Sequence, residues 1–419
     1  MKLGPEYRRI WAGSAASNLA DGVTFVALPL LATTLTGSPA AIAALSVAYA
    51  LPRLLAVLGI GVLVDRLDRR RLLYLASFSR GIIFAGLTAL VVTGATPLTA
   101  LYVVYALTGI VETLSDSAAL AILPQAVARA GLDRANSQIA ATQIVIDEFI
   151  GPPLGGVLFA VAAFAPSALN VAAFLLAGLA NWRLRDSYAA APADLALQRP
   201  VTVAAQIREG AGWALRHPIV RTLIIIGSLA SVGYMIPFSY LVLYARQVLG
   251  LSSAGYGFLL SFSAVGGLLG SVVASRLRSR VGYGWSVIAA LTLGALSFTA
   301  IALTSDVWLV AVALAAYICH SVVWNVMAAS IRQKVTPTAM MGRVSSVSRL
   351  AGLCGLAGGA GLGGLLASRF GYQAPFAAAA AFFLAAALLA VTVMRHFTAL
   401  ERGEDKLAAG QADPGAVAR

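Results

Sequence analysis

Charge is scarce in this sequence. Only 11% of its 419 residues are Asp, Glu, Lys or Arg and 59% are apolar, against about 25% and about 45–50% in an ordinary soluble domain, so a soluble globule of this size is excluded. Cysteine is scarcer still: Cys319 and Cys354 stand far apart in apolar runs, with no CxxC or Cys/His spacing. That excludes a disulfide framework and a metal site. Histidine amounts to His217, His320 and His396, in three separate segments. With no nucleophile beside a base, no HExxH and no phosphate-cradling loop, the sequence does not read as an enzyme, and no cofactor is expected. Lysine is nearly missing: 27 of the 30 basic residues are Arg, and together they exceed the 17 acids by 13. In a soluble protein that excess suggests nucleic acid. Here the cations fall in short turns between apolar runs, where membrane topology accounts for them, and no nucleic-acid partner is expected.

What is abundant is the apolar run. At roughly 20 apolar residues per bilayer crossing, the chain has room for a dozen helices, and the runs punctuated by Gly, Pro or Arg predict twelve. The first six cover 10–35, 39–64, 72–93, 98–123, 135–163 and 167–184; the second six cover 219–244, 256–275, 285–303, 307–327, 344–367 and 375–394. The expected architecture is an all-α membrane protein of twelve transmembrane helices: an amino-terminal six-helix bundle (1–184), a linker (185–218), a carboxyl-terminal six-helix bundle (219–397) and a polar, disordered tail (398–419). Within the linker, Ala204, Ile207, Ala211 and Ala214 share a helical face away from Arg208 and Glu209, which predicts a short amphipathic helix on the membrane surface.

Arginine sets the topology. With the amino terminus inside, the inner connections carry Arg66, Arg69, Arg70, Arg71, Arg129, Arg134, Arg183, Arg185, Arg276, Arg278, Arg280, Arg332, Lys334 and Arg343, and the outer ones only Arg246 and Arg369. The positive-inside rule then puts both termini in the cytoplasm. The first run is about twice the length of a signal-peptide core and contains Asp21, so it reads as a span, not a cleaved leader. The high Ala, Gly and Arg content suits a GC-rich bacterial genome, and hence a multi-pass protein of the bacterial cytoplasmic membrane.

The two halves repeat. Asp65-Arg66-Leu67-Asp68-Arg69-Arg70 matches Ser275-Arg276-Leu277-Arg278-Ser279-Arg280 at an offset of 210, and Gly151-Pro152-Pro153-Leu154-Gly155-Gly156 matches Gly359-Ala360-Gly361-Leu362-Gly363-Gly364 at 208. Duplicated halves suit a transporter with its substrate site between them.

The stretch from Gly61 to Arg70, with Asp65, Arg66, Arg69 and Arg70, resembles the loop 2-3 signature of the major facilitator superfamily, GxxxD(R/K)xGRR, with Asp68 in place of the last Gly. The resemblance implies two pseudo-symmetric six-helix bundles and a gating latch at this loop. Gly151-Pro152-Pro153-Leu154-Gly155-Gly156 is similar to the GPxxGG motif of the antiporter branches, which implies export. Gly151 and Gly155 lie one turn apart for close helix packing, and Pro152 and Pro153 remove backbone donors. Leu28-Pro29-Leu30 and the form of the loop resemble the branch of macrolide-efflux and enterobactin-exporter proteins. The arginine that drug exporters carry in span four is here Tyr105, so that residue's proton-relay role does not transfer.

Charges inside spans face a cavity or a partner, since each costs about 2.5 kcal/mol or more to insert. They are Asp21, Arg53, Arg80, Glu112, Asp116, Asp147 and Glu148, all in the amino-terminal half. Asp21 and Arg53 both fall near mid-membrane, where a pair is possible. Glu112 and Asp116 share one helix face. Two carboxylates that close in low dielectric resist double ionisation, as a proton carrier requires; neutralisation by Arg80 or another cation is the structural alternative. Asp147 lies on the glycine face of span five and Glu148 about 100° away. The carboxyl-terminal half supplies Tyr234, Phe238 and Tyr240 around Pro237, and His320, Trp324 and Asn325 in span ten, as lining for a bulky aromatic or amphipathic substrate or as ordinary packing. The expected function is a monomeric secondary transporter that exports a hydrophobic or amphipathic small molecule by proton antiport. A siderophore exporter and a proton-coupled importer are the alternatives.

Overall fold

The computed structural model describes residues 3–128, 131–185, 188 and 203–408, apart from a few helical side chains that include Gly61, Asp65 and Arg66. Arg129 lies outside the described residues. Helices α1 to α4 run over Gly4–Leu35, Pro39–Arg66, Arg69–Val92 and Leu98–Ala126. α5 (Leu132–Gln143) passes through a π-helical stretch, Ile144–Ile150, into α6 (Gly151–Val161), and α7 is Ala165–Trp182. There follow α8 (Val203–Arg216), α9 (Pro218–Phe238), the short α10 (Leu241–Leu243) with its own π-helical stretch Tyr244–Val248, and α11 (Ser253–Leu303). α12 (Val307–Val335), α13 (Thr338–Phe370), α14 (Ala374–Thr392) and α15 (Met394–Ala408) complete the chain, and no strand occurs among the described residues.

Local chemistry explains the boundaries. Ser38 caps α2 by accepting the Ala41 N–H at 3.3 Å, and Asp306 caps α12 by accepting that of Leu309 at 2.9 Å. Proline opens α2, α7, α9 and α14, where a missing N–H costs nothing. In span five, Pro152 and Pro153 cannot donate, and the Gly151 N–H reaches back five residues to the Ile146 carbonyl, which is the π turn.

Among the described residues, eleven helices are long and apolar enough to cross a membrane. α11 has 51 residues, roughly 75 Å of helix against a hydrocarbon core of about 30 Å. Gly282 breaks it (φ 78°, ψ −176°) into two crossings, which makes twelve spans. Ile82 is 72% and Leu303 81% exposed, an apolar exterior that only lipid covers favourably.

The chain forms two compact units, Met1–Pro200 with Val242–Ser261, and Val201–Leu241 with Phe262–Arg419. In the first, α1 packs on α6 and α7, α3 on α4 and α7, and α2 along α4. In the second, α9 packs against α13 and α14, and α8 lies on α13. There Glu209 pairs with Arg343, and a Cβ at Gly210 would come 2.7 Å from the Arg343 carbonyl oxygen. One expectation is corrected: the stretch from 398, whose composition suggests disorder, is helical as far as Ala408, because Phe397 is fully buried and anchors the helix. Residues 409–419 lie outside the described residues.

Candidate functional site

Within the first unit, seven polar side chains from four helices join into one network. Arg80 on α3 is 2% exposed and pairs with Asp21 on α1. Its Nη1 donates to Ser17 Oγ at 3.2 Å, its Nη2 comes 3.9 Å from Glu112 Oε2, and its guanidinium lies 4.1 Å from the centre of the Phe174 ring. Glu112 on α4 also takes Arg53 Nη1 from α2 at 3.2 Å. The Tyr49 hydroxyl is shared between the two Glu112 oxygens at 2.8 and 2.7 Å and accepts from Arg53 Nη1 at 2.5 Å. Arg53 Nη2 reaches Asp116 Oδ2 at 3.3 Å. Glu112 is thus the hub between two arginines. The Asp116 side chain, 49% exposed, is the open end of a network whose other end is buried.

The expected meeting of Asp21 with Arg53 does not occur. α1 and α3 both pack on α7, which brings Asp21 to Arg80, while α2 runs along α4 and presents Arg53 to Glu112 and Asp116. Tyr49 was missed by sequence reasoning; its only signal is its place four residues before Arg53, on the same helix face. Arg221 in α9 and Arg349 in α13 are also charges within long helices, so it is the carboxylates, not all the charges, that are confined to the amino-terminal half. Arg221 lies in the first turn of α9, and Arg349 about three turns into α13.

Asp147 and Glu148 sit in the π turn of span five, Asp147 half-buried and Glu148 exposed. A Cβ at Gly22, the residue after Asp21, would run into the Asp147 carbonyl oxygen and come 3.0 Å from Gly151 Cα. The backbone of Asp147 is therefore held beside the network. The glycine motif makes a seam with two sides. A Cβ at Gly151 would meet Gly22 Cα at 2.6 Å and one at Gly155 the Val23 carbonyl oxygen at 2.8 Å; on the other side one at Gly156 would meet the Ser253 carbonyl, and one at Gly257 that of Pro152. Residues 253–257 belong to this same unit.

At the loop signature, the departure Asp68 has a local purpose. It caps α3 by accepting the Arg70 N–H at 3.0 Å and also accepts the Tyr188 N–H at 3.3 Å. Arg70 Nη2 donates to the Trp182 carbonyl at 2.6 Å, closing the end of α7. The side chains of Gly61, Asp65 and Arg66 lie outside the described residues; Arg69 is half-buried.

The aromatic candidates of the second unit are mostly packed. Tyr234 and Phe238 gather on Tyr317, with ring centres 6.1 and 5.8 Å away. Tyr240 is fully buried and its hydroxyl donates to the Tyr372 carbonyl at 2.6 Å. His320 is 1% exposed, stacked on Tyr317 at 5.1 Å and edge-on to Phe383 at 4.8 Å, and neither ring nitrogen has a hydrogen-bond partner among the described residues. A Cβ at Gly294 would come 2.7 Å from the His320 ring, so only glycine leaves the imidazole this room. Trp324 is buried too, and exposed Asn325 donates to the Ser321 carbonyl at 2.9 Å. Tyr240, His320 and Trp324 are thus buried among the side chains of the second unit.

Known proteins share this plan. Residues 4–412 match the family described as "Transmembrane secretion effector". The chain is 29% identical over 408 residues to the multidrug efflux pump Tap of Mycolicibacterium fortuitum, covering 94% of this chain and 97% of that protein. It is 27% identical over 351 residues to the enterobactin exporter EntS of Escherichia coli O1:K1 / APEC, covering 83% and 82%. Among solved structures, the nucleoside transporter NupG superposes with a TM-score of 0.77 at 12% identity (92% of this chain, 99% of that one). A bacterial homologue of the iron transporter ferroportin, in its inward-facing state, gives 0.70 at 17% identity (94% and 99%). The fold, the repeated loop and glycine signatures and the match along nearly the whole chain agree: this is a membrane transporter of the major facilitator superfamily, in its transmembrane secretion effector family.

Proposed function

We propose that this transporter exports a hydrophobic or amphipathic small molecule from the bacterial cytoplasm by alternating access, driven by protons moving inward, with both termini inside and the protein acting as a monomer. The observation that carries the reading is Glu112 shared between Arg53 and Arg80. A proton on Glu112 leaves Arg53 to Asp116 and Arg80 to Asp21; its loss draws both arginines back. One titration thereby selects between two pairing patterns across four helices, the kind of two-state element an ion gradient can bias. Asp116 offers the route from open space, and Asp147 lies beside the buried end. The likeness to a multidrug pump and an enterobactin exporter supports export. The second of these keeps a siderophore as the other candidate cargo.

Proteoliposomes loaded with a lipophilic fluorescent drug test the reading under an imposed pH gradient, with wild type and the variants Glu112→Gln, Asp116→Asn and Asp147→Asn. pH-driven flux lost in Glu112→Gln, with drug binding retained, supports antiport. Wild-type flux that ignores the gradient overturns it.

A further inference from the structure

The second copy of the loop signature has lost its acids: Arg278 stands at the place of Asp68, 210 residues on. In the first unit, the Asp68 carboxylate does two things at once. It caps the span that follows the loop, and it holds the Tyr188 N–H in the segment that leaves the last span of the amino-terminal bundle. The second unit contains the same three parts with the acid relocated. α11 breaks at Gly282, so Tyr283 begins the next crossing, and the first N–H groups of a helix need acceptors from outside it. Glu401 supplies one, accepting the Tyr283 N–H. It comes from α15, the segment that leaves the last span of the carboxyl-terminal bundle.

Several independent features converge there. Gly282 has positive φ and no Cβ; a Cβ would lie 2.8 Å from Glu401 Cδ, so the residue that turns the chain also admits the carboxylate. Phe397, one turn earlier on α15, is fully buried, and its Cβ would be 3.2 Å from a Cβ at Gly284. Arg278 Cζ and Lys334 Nζ lie 4.8 and 5.3 Å from the centre of the buried Tyr283 ring. A turn bearing Arg276, Arg278 and Arg280 without an acid of its own, followed by a helix amino end, favours a carboxylate.

We propose that α15 is a strap on the second unit: Glu401 provides from the carboxyl-terminal helix the carboxylate that the second loop signature lacks, and its fastening limits the movement of the turn between spans eight and nine. The first unit carries the corresponding acid in the loop itself.

Two measurements on the full-length protein in lipid test this, and neither depends on the cargo. The first is amide hydrogen exchange in wild type, Glu401→Gln and Phe397→Ala. The second is the distance distribution between spin labels at Ser279 and Gln333, with Cys319 and Cys354 replaced by Ser. The strap predicts exchange at least tenfold faster over 283–286 and 394–401 in Glu401→Gln, unchanged exchange over 69–72, and a broadened Ser279 to Gln333 distribution. Unchanged exchange in Glu401→Gln overturns it, because the helix is then not held by that carboxylate. Faster exchange with an unchanged distribution also overturns it, because the helix would be fastened without restraining the turn. Glu401→Gln keeps the size of the side chain and removes only the negative charge that the arginine-bearing turn and the helix amino end favour, so the test stands even if Phe397→Ala fails to fold.

Discussion

At the scale of single residues, the decisive fact is that Arg80 is buried with its charge satisfied by Asp21 while Asp116 stands at an open edge. Removing one member of a buried pair strands the other. Asp21→Asn is therefore expected to lower stability by about 3 kcal/mol, and replacing both partners, as Asp21→Leu with Arg80→Met, to recover most of it. Thermal melts in detergent decide, and a double variant as unstable as the single one refutes the account. Asp68→Ala, which removes the cap of α3, is expected to cost about 1 kcal/mol in the same assay. The charged members of the network were visible in the sequence because charge inside an apolar run is conspicuous. Their partners were not, since which arginine meets which acid depends on how α1, α2, α3 and α4 pack. Tyr49 was invisible because a phenol in an apolar run looks like any other aromatic.

Among elements, the glycine seam separates required small residues from permitted ones. A Cβ at Gly151 collides with the Gly22 backbone and one at its repeat partner Gly359 with the Val232 carbonyl oxygen, whereas nothing lies within 4 Å of one at Gly361. Gly151→Ala should lose folded protein after extraction, and Gly361→Ala should not, as size-exclusion profiles would report. The junction of α8, α9 and α15 adds a pH dependence. Burial and the neighbouring His396 hold His217 below the ordinary imidazole value, so it is neutral in the fold, where its Nδ1 accepts the Val220 N–H at 3.4 Å and its ring stacks on Trp213. A lowered value contributes stability that is complete above the unfolded value of about 6.5 and is lost as pH falls through the folded one. The melting temperature should be flat from about pH 7 upward and fall toward pH 5, and His217→Asn, a neutral cap, should flatten that fall. The spans themselves were legible from apolar runs. The helical tail was not, because its polar composition masks one deeply seated Phe397 and one carboxylate with a distant partner.

For the whole molecule, duplication has left two unequal bundles. All five carboxylates within spans, Asp21, Glu112, Asp116, Asp147 and Glu148, belong to the first unit, and the second contributes a packed aromatic interior around Tyr317 and Phe298. If proton movement is read by the first unit, Arg349→Gln, an exposed arginine in α13, should leave the pH dependence of transport in place while Asp116→Asn shifts it. Flux against pH for the two variants makes the comparison. The repeat and its motifs were readable as sequence, and so was the superfamily. That residues 242–261 belong with the first unit was not, because this assignment rests on contacts such as Gly156 with Ser253 and Gly257 with Pro152, which no run of hydrophobicity records.

That assignment bears on how the protein can be divided. A gene split in the linker after Pro200 would yield an amino-terminal fragment without the stretch that covers Gly156, and a carboxyl-terminal fragment carrying that stretch with nothing from its own unit to seat it. Each product lacks contacts that its unit makes in the whole chain, so both fragments should accumulate better when synthesised together than alone, as immunoblots of the membrane fraction would report.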